Sequence, residues 1–434
     1  MLAKLKRCGI SGDLLLWFED YLKDRLQRVV INGQASIWGL IKAGVPQGSV
    51  LGPLLFLLFI DDLTQAVAHC QIRLFADDTC LFIEVDNRDD AARLVNADLE
   101  SIQRWSEDWL VTFAPSKTKT ITISNKPDAN PNPPIKLNGH IIERVPAHTY
   151  LGLTFSSNLR WSYHIDNIST KARKRLNLMI PLKFKLDRKS LEIMYKSFVL
   201  PTMEYAMVVW GGTYDSDLLK LEKIHIDGLR LISGATARSN IANLYMETAF
   251  MSTSERRDHS MLIMLYKIKN RMAPNYLLVI LPQENQEHIR YNLRNNTNLT
   301  VPFSRLESFK RSFIPFSINL WNSLAPQKRN KPTLELFKNS IKENNTEPNI
   351  LYYYGMRWPS VHHSRIRMGC SKLKHDLHYN LHVTDDSTCA CGAEDEDAKH
   401  FTVQIILTYG YSFITALVFI VKFLLILYYM GIQI

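Results

Sequence analysis

Cysteine is scarce in this chain of 434 residues. The six cysteines are Cys8, Cys70, Cys80, Cys370, Cys389 and Cys391. Thiols so few and so dispersed do not form the disulfide framework of a small secreted protein, so we expect a reducing compartment. Met1 to Ser11 is basic and lacks an apolar core region, so no N-terminal signal peptide is predicted.

Acidic residues are fewer than basic ones. The chain has 52 Lys and Arg against 42 Asp and Glu, which gives a net charge of +10 and a pI near 9.1. This balance suits a polyanionic partner, although a moderately basic soluble protein would show it too. A hydrophobic content of 46% supports real cores, and the length leaves room for two or three domains.

Two adjacent carboxylates, Asp77 and Asp78, lie between the largely apolar runs Cys70 to Phe75 and Cys80 to Val85. Strand-like runs around a short polar turn predict a β-hairpin with acid at its tip. At such a tip both side chains can face one cleft and bind hard cations such as Mg²⁺. The alternative is an ordinary turn, because Asp often hydrogen-bonds its own backbone there.

A loop rich in glycine and proline, Gly44 to Pro53, precedes the apolar run Leu54 to Ile60. Gly48 and Gly52 allow close backbone approach to a ligand, and Ser49 can cap the following helix. A plain turn between a strand and a core helix would also explain the composition. Two further stretches lie downstream, Phe113 to Thr118 and His148 to Leu153.

These four stretches, in this order, resemble the reverse transcriptase of non-LTR retrotransposons of the jockey and RTE kind. The resemblance runs from Met1 to about His400, and its most specific motifs are Pro46-Gln47-Gly48-Ser49 and Phe75-Ala76-Asp77-Asp78. It implies an RNA-directed DNA polymerase that uses two Mg²⁺ ions, an RNA template, a DNA primer and deoxynucleoside triphosphates. It also implies an intracellular location, in the nucleus or the cytoplasm.

The resemblance also assigns roles to single residues. It makes Asp77 and Asp78 catalytic metal ligands, and places Lys117 near the pyrophosphate. It assigns nucleotide and template binding to Pro46, Gln47, Gly48, Ser49, Phe75 and Ala76, and the primer grip to Tyr150, Leu151 and Gly152. At Ala114 the family usually has Asn, which predicts a weaker loop.

A third carboxylate, expected on a strand before the Pro-Gln-Gly loop, is missing. Residues Met1 to Gly12 resemble the segment that lies just after this carboxylate motif in the family, so we expect the chain to begin in mid-palm and to be inactive as it stands. Asp20 and Asp24 lie on a predicted amphipathic helix, Leu14 to Leu26, as a solvated face. Asp61 and Asp62 are expected only to end the apolar helix.

The predicted fold is α+β: a partial polymerase palm with an antiparallel sheet, then a helical thumb and a helical C-terminal region. The spacing of apolar residues predicts a helix from Asn87 to Trp109, alternation predicts a strand from Phe113 to Ser124, and Asn138-Gly139 predicts a hairpin. The predicted segments are 1–125 partial palm, 126–160 primer-grip-like hairpins, 161–250 thumb-like, 251–385 helical, 386–404 zinc-knuckle-like and 405–430 apolar helix.

Lysine and arginine are densest between Lys171 and Lys189. In a thumb these side chains would follow nucleic-acid phosphates, and the alternative is a solvated helix face. The residues predicted to contact nucleic acid are Lys171, Arg173, Lys174 and Arg175.

Near the C-terminus Cys389, Cys391 and His400 suggest a Zn²⁺ site. No fourth ligand follows, although His375, His378 or His382 could supply one. Beyond them Ile405 to Met430 is almost wholly apolar, with Lys422 its only charge, and is long enough for a membrane-spanning helix. A foreign reading frame translated past a decayed element is the other explanation.

Three functions therefore remain open from the sequence. The first is a reverse transcriptase with an incomplete active site. The second is a nucleic-acid-binding remnant without catalysis. The third is a tail-anchored membrane protein.

Overall fold

The computed structural model describes residues 1–41, 43–124, 133–282, 298–342, 357–389, 395–398 and 400. The chain divides into two compact units, Met1–Asn158 and Leu159–Ile434. The first combines helices with small sheets, whereas long helices dominate the described part of the second. The chain is therefore of mixed α+β class, as predicted.

In the first unit short strands pair in twos. The helices are α1 Leu2–Arg7, α2 Gly12–Leu22, α3 Leu51–Ile60 and α4 Arg88–Asp108, with a 3-10 helix at Asp61–Ala66. The strands are β1 Leu26–Gln27, β2 Val30–Ile31, β3 Gln34–Ala35, β4 Gly39–Leu40, β5 Gln71–Phe75, β6 Asp78–Phe82, β7 Lys119–Thr120, β8 Lys136–Leu137, β9 His140–Ile141, β10 Glu143–Arg144, β11 Ala147–Tyr150 and β12 Leu153–Ser156. The pairs β1–β4, β2–β3, β5–β6, β8–β9 and β11–β12 are antiparallel, and β7–β10 is parallel.

Helix α4 organises the core of the first unit and confirms the helix predicted from its apolar spacing. It starts after Asn87, whose side chain accepts the backbone N–H of Asp89 at 2.9 Å. Leu99, Ile102 and Trp105 are buried on one face. They share a cluster with Ile60, Leu63, Leu137 and Ile142.

The predicted helix Leu14 to Leu26 is wrong at its C-terminal end. Helix α2 stops at Leu22 because Lys23 is extended and Asp24 has a φ of 50°. A residue in the left-handed region cannot continue an α-helix. Leu26 belongs instead to strand β1.

The predicted strand Phe113 to Ser124 is mostly wrong. Only Lys119–Thr120 is a strand, paired with Glu143–Arg144. Residues 115–117 form a turn, closed by hydrogen bonds from the backbone N–H groups of Lys117 and Thr118 to Ala114 O. Alternating side chains do not make a strand where no neighbouring backbone completes the ladder.

The Asn138-Gly139 hairpin is confirmed. Leu137 pairs with His140, and both turn residues have positive φ, 50° and 76°. This combination is the type I′ turn that matches strand twist. The asparagine- and proline-rich stretch from Asn125 to Pro134 predicts a surface loop, and its residues 125–132 lie outside the described residues.

The second unit is built on helices. They are α5 Ser162–Met179, α6 Arg188–Met194, α7 Leu200–Glu204, α8 Met207–Trp210, α9 Asp215–Ser233, α10 Ile241–Thr248, α11 Thr253–Lys269, α12 Asn275–Val279, α13 Glu307–Lys310, α14 Phe313–Ser323, α15 Pro326–Arg329, α16 Leu334–Ile341 and α17 Arg357–Arg367. A 3-10 helix lies at Ile180–Phe184, and π-helical turns lie at Tyr195–Val199 and Asp376–Asn380. Gly234 ends α9 with a φ of 77°, the left-handed conformation that often follows the last turn of a helix.

Aromatic side chains pack between the later helices of this unit. Tyr266 and Phe337 stack with ring centroids 4.4 Å apart, and Trp321 packs against Phe337. Arg311, to which the sequence assigned no role, forms ion pairs with Glu307 and Asp215. The Asn295-Asn296 run lies outside the described residues.

Arginines bind the C-terminal carbonyls of α9. Arg357 donates to Leu231 O and Ile232 O, and Arg365 donates to Gly234 O at 2.8 Å. These carbonyls have no partner within the helix, so the guanidinium groups satisfy them. Helix α17 is thereby fastened to the end of α9.

The apolar stretch 405–430 lies outside the described residues. Among the helices that the structure describes, none has the length and apolar character needed to cross a bilayer.

Candidate functional site

The predicted acidic hairpin is present. Strands β5 and β6 pair antiparallel from Gln71–Phe82 to Phe75–Asp78, and Ala76 and Asp77 form the connection. Ala76 adopts a φ of 52°, the conformation that lets two residues reverse the chain. The two carboxylates therefore lie at the tip, as predicted from the sequence.

The hairpin has one inward and one outward face. Ile72, Leu74 and Leu81 pack against the core cluster of the first unit. Asp78 is opposite Phe75, which is 63% exposed, and directly opposed residues share a face. Asp78 thus belongs to the outward face, and Asp77 is exposed at the turn.

The predicted primer-grip hairpin lies close to this outward face. Strands β11 and β12 are joined by Leu151 and Gly152, which have positive φ of 47° and 78°. Burial raises the pKa of the Tyr150 hydroxyl, and coulombic interactions with Cys80 and Asp78 raise it further. Tyr150 therefore lies within electrostatic range of Asp78.

The Pro46-Gln47-Gly48-Ser49 loop is closed by hydrogen bonds between the Ser49 side chain and the backbone. Ser49 Oγ donates to Pro46 O at 2.8 Å and accepts the N–H of Gly52 at 2.9 Å. Ser49 therefore binds a backbone N–H in the first turn of α3, as predicted, but the N-cap residue itself is Val50, whose side chain makes no cap hydrogen bond. A Cβ on Gly52 would lie 2.8 Å from Pro46 O, so this glycine serves the loop's own closure.

Lys117 is exposed on the turn at residues 115–117. No hydrogen bond or ion pair between described residues joins it to Asp77 or Asp78. Its predicted place near the pyrophosphate therefore stays a prediction. Ala114 closes the turn through its backbone carbonyl, which needs no side-chain amide.

The structure shows what surrounds the carboxylates that could replace the missing third ligand. Asp20 and Asp24 are exposed, as expected for a solvated surface. Asp62 accepts a hydrogen bond from Lys4 Nζ at 2.6 Å and another from Trp105 Nε1 at 3.0 Å. Asp62 therefore does more than end the helix, because it binds α1 to α4.

Sequence reasoning missed Asp98. This residue of α4 is 1% exposed and accepts the backbone N–H groups of Ala68, His69 and Cys70, which lead into β5. Burial works to raise the pKa of Asp98, but these hydrogen bonds outweigh burial and the pKa is lowered. Asp98 therefore positions the strand that leads to Asp77.

Cys70 and Cys80 flank the acidic tip without a chemical role. Burial, followed by the hydrogen bond and charge of Asp98, raises the pKa of the Cys70 thiol to about 12. Burial also raises the pKa of Cys80. Both side chains are thus protonated at neutral pH and are poor nucleophiles.

The metal ligands that Asp77 and Asp78 provide fit a Mg²⁺ site only in part. Asp77 and Asp78 offer carboxylate oxygens, the ligand type that Mg²⁺ prefers. Within the described part of the chain, no group of three His, Cys, Asp or Glu side chains could hold a metal ion. The ligand type fits, and the number of ligands falls short.

The predicted Zn²⁺ site is not tested. Cys389 is buried, and the backbone N–H of His400 bonds to Asp397. Cys391 lies outside the described residues. The zinc-knuckle assignment of 386–404 therefore stays a prediction.

The four basic residues predicted to contact nucleic acid divide into two pairs. Arg173 binds Asp227 at 2.6 Å, and Arg175 donates to Phe198 O at 2.9 Å. Lys171 and Lys174 are exposed on α5. Of these four residues, only the two lysines are exposed.

Comparison with known proteins agrees with this geometry. Residues 2–155 match the family model described as reverse transcriptase (RNA-dependent DNA polymerase). The match covers the acidic hairpin, the Pro-Gln-Gly-Ser loop and the Tyr150 hairpin. Over these residues the chain is similar to reverse transcriptases. The resemblance to non-LTR retrotransposon enzymes is confirmed as well, because the similar proteins are polymerases of such elements.

The RNA-directed DNA polymerase from the mobile element jockey of Drosophila melanogaster is 32% identical over 245 residues, 54% of this chain and 26% of that protein. The probable RNA-directed DNA polymerase from transposon BS of the same species is 28% identical over 228 residues, 50% of this chain and 25% of that protein. The matches thus span about a quarter of these reverse transcriptases. No solved structure matches the chain.

Proposed function

We propose that the first unit is part of an RNA-directed DNA polymerase of a non-LTR retrotransposon. Its substrates would be an RNA template, a DNA primer and deoxynucleoside triphosphates. The observation that carries this proposal is the Asp77–Asp78 hairpin, which lies within residues that match the family model, with Tyr150 in electrostatic range of Asp78.

Each of the three motifs would have its own role in the reaction. Asp77 and Asp78 would hold Mg²⁺, which lowers the pKa of an attacking 3′-hydroxyl and neutralises charge on the leaving pyrophosphate. The Gln47-Gly48 turn would contact the incoming nucleotide, and the Tyr150 hairpin would hold the primer end. Gly48 has a φ of 83° and nothing within 4 Å of a Cβ position, so its outer side is open.

We further propose that the chain does not polymerise by itself. Two-metal catalysis needs carboxylates enough to bind both ions, and the described residues supply only the adjacent pair. Asp62 and Asp98 are already held by other groups of the first unit. The described residues therefore leave a third carboxylate ligand unassigned.

Primer extension tests this proposal. The full chain is incubated with poly(rA), oligo(dT), deoxythymidine triphosphate and Mg²⁺, with and without a separately expressed segment that precedes the matched region in the jockey polymerase. We expect incorporation only with that segment, and none with an Asp77→Ala, Asp78→Ala double variant. The matched control is Asp20→Ala, which removes an exposed carboxylate from α2.

Each outcome decides between hypotheses. Extension by the chain alone that the double variant abolishes would overturn the proposed inactivity and indicate an unrecognised third ligand. Extension that survives the double variant would overturn the proposed site. No extension under any condition would favour nucleic-acid binding without catalysis.

That second function rests on Lys171 and Lys174. Both are exposed on α5, one helical turn apart, where they can contact successive phosphates. Fluorescence anisotropy with single-stranded RNA at several salt concentrations would measure their role. Replacing both with Glu should weaken binding roughly tenfold or more and reduce the salt dependence. Lys310→Glu, on another helix, is the control, and an equal loss there would refute a specific surface.

A further inference from the structure

A row of exposed side chains runs along α5 and into the 3-10 helix at Ile180–Phe184 that follows it. Ile180 keeps helical angles between the two elements, with φ −57° and ψ −46°, so the helical path continues. Residues three or four apart share a face of an α-helix, and residues three apart share a face of a 3-10 helix. The exposed members of one such face are Lys171, Lys174, Leu178, Pro181 and Phe184.

The row lies on the side of α5 that faces away from the core of the second unit. On the opposite side Ile168, Ala172 and Leu176 are each at most 7% exposed. These buried side chains fix the orientation of the helix, so the row stays in solvent. At about 1.5 Å per residue in α5 and about 2.0 Å in the 3-10 helix, the row is roughly 20 Å long.

The stretch that contains this row is strongly basic. Residues 167–186 include six Lys and Arg and no Asp or Glu. Asp166, just before the stretch, pairs with Lys220. Asp187, just after it, accepts the backbone N–H of Ser190 and so caps α6. The row therefore keeps a positive charge, which is complementary to a polyanion.

Phe184 ends the row and is 81% exposed. The Lys183 ammonium lies 4.6 Å from the centroid of the Phe184 ring, and Leu178 in the same row is 66% exposed. One exposed apolar side chain is common on a protein surface. A ring in line with lysines is more specific, because a base can stack on the ring while the phosphates of the same strand contact the ammonium groups.

The pattern fits a nucleic acid better than a membrane. A helix that lies on a bilayer has a broad apolar face and carries its lysines on the opposite face. Here Lys171 and Lys174 share one face with Leu178 and Phe184. The row also fits a single strand better than a duplex, because the bases of a duplex stack on each other and offer no face to an aromatic ring.

We infer that this row binds single-stranded nucleic acid, with a base stacked on Phe184 and phosphates of the same strand on Lys171 and Lys174. The inference rests on the nucleic-acid binding proposed above for the two lysines, and it adds the type of strand and the base contact. At about 3.4 Å per nucleotide, a row of roughly 20 Å holds about six nucleotides. Any base can stack on a ring, so the contact does not depend on sequence.

Fluorescence anisotropy on the full chain tests the inference, with oligo(U) as the single strand and long poly(A)·poly(U) as the duplex. Phe184→Ala should weaken binding to oligo(U) about five- to 100-fold, the range measured when a stacking ring is removed. Its binding to the duplex should stay at the wild-type level. Phe184→Trp should bind oligo(U) at least as tightly as wild type, because a larger ring also stacks on a base.

The salt dependence separates the ring from the lysines. Stacking releases no counterions, so Phe184→Ala should keep the wild-type slope of log K against log salt. Lys174→Gln should reduce that slope by about 0.7, the value for one phosphate contact on a single strand. The matched control is Phe303→Ala, at a ring 91% exposed elsewhere in the second unit, which should bind like wild type.

The outcomes distinguish this inference from the proposed function. If Phe184→Ala binds oligo(U) like wild type while Lys174→Gln changes the slope, the base contact is refuted and nucleic-acid binding stands. If the wild-type chain binds no nucleic acid, both are refuted. An equal loss on the duplex, or an equal loss in Phe303→Ala, would also overturn the inference. So would a loss of binding to phosphatidylserine vesicles in Phe184→Ala without a loss of binding to oligo(U).

Discussion

The carboxylate of Asp98 accepts the backbone N–H of Cys70 at 2.6 Å, the residue immediately before strand β5. Ala68 and His69 donate to the same side chain. Three main-chain donors and one buried carboxylate thus connect the middle of α4 to the strand that ends beside Asp77. The position of the acidic tip depends on this connection.

Replacing Asp98 with Asn should destabilise the first unit by about 3 kcal/mol, because a charged acceptor of several N–H groups is lost. The pKa of the Asp98 carboxyl is lowered in the folded protein, and this determines how the stability of the first unit depends on pH. The unfolded chain, with an ordinary Asp pKa near 3.9, binds the proton first, so this stabilisation is present above about pH 4 and is lost as pH falls toward the folded pKa.

Hydrogen exchange of peptides covering residues 68–82, followed from pH 7 to pH 3.5 with correction for intrinsic rates, measures this effect. The difference between wild type and Asp98→Asn should shrink as the pH falls. Glu100→Gln removes an exposed carboxylate of the same helix and serves as control. A difference independent of pH would contradict the proposed role of the ionised carboxylate.

A second prediction concerns Lys4 and Asp62. Lys4 is 4% exposed, and its ammonium lies 3.7 Å from the Trp109 ring centroid as well as 2.6 Å from Asp62. Asp62→Asn should cost about 3 kcal/mol, because it leaves the buried Lys4 ammonium without its carboxylate. Lys4→Met should cost less, because the Asp62 side chain is 22% exposed. The double variant should cost clearly less than the sum.

Urea unfolding monitored by tryptophan fluorescence would supply these values. Lys23→Met and Asp61→Asn, each at an exposed residue nearby, are the matched controls. Strictly additive losses would show that Lys4 and Asp62 do not act as a pair.

Local patterns in the sequence predicted local structure well. The α4 periodicity, the Asn138-Gly139 turn and the acidic hairpin each depend on residues close in the chain. The roles of Lys4 and Asp98 depend on partners 58 and about 30 residues away, which no local pattern reveals. The strand expected from Phe113 to Ser124 failed for the same reason, because most of it has no neighbouring strand.

In the candidate site, too, some residues could be predicted from local sequence and others depend on distant parts of the chain. Asp77 and Asp78 could be found because the acidic pair interrupts two apolar runs. The proximity of Tyr150 came only from the resemblance, since the two hairpins are separate in sequence. The basic composition around Arg173 predicted a contact with phosphate, but the structure shows Arg173 in an ion pair with Asp227 of helix α9.

A third prediction concerns the pH dependence of the second unit. His225 is fully buried, accepts from Tyr195 OH at 2.7 Å through Nδ1 and donates from Nε2 to Met251 O at 3.1 Å. Burial lowers its pKa to about 4, against an opposing effect of Glu222. The unfolded chain, with a His pKa near 6.5, binds the proton first, so stability should fall between pH 6.5 and about 4.

Urea unfolding of the second unit at pH 7.5 and 5.0 would measure this loss. His225→Gln should lose less stability than wild type between these two pH values, although its stability at pH 7.5 is lower. Part of the loss should remain, because burial also lowers the pKa of His164 to about 4. His378→Gln, at a histidine whose ring is only half-buried, is the control. An unchanged pH dependence in His225→Gln would contradict the assignment.

The last prediction concerns Glu247, which binds two arginines in the interior of the second unit. Arg367 donates to it at 2.5 and 2.9 Å, and Arg188 lies 3.6 Å away. Glu247→Gln removes the charge that compensates both guanidinium groups and should cost about 3 to 5 kcal/mol. Asp227→Asn, in an ion pair with Arg173 that is about 40% exposed, should cost less than about 1 kcal/mol.

Thermal unfolding of both variants compares their stabilities directly. Similar losses of stability would mean that burial does not determine the strength of these ion pairs. A large loss only in Glu247→Gln would show that α17 is held to α10 by this carboxylate, since Glu247 and Arg367 belong to these two helices.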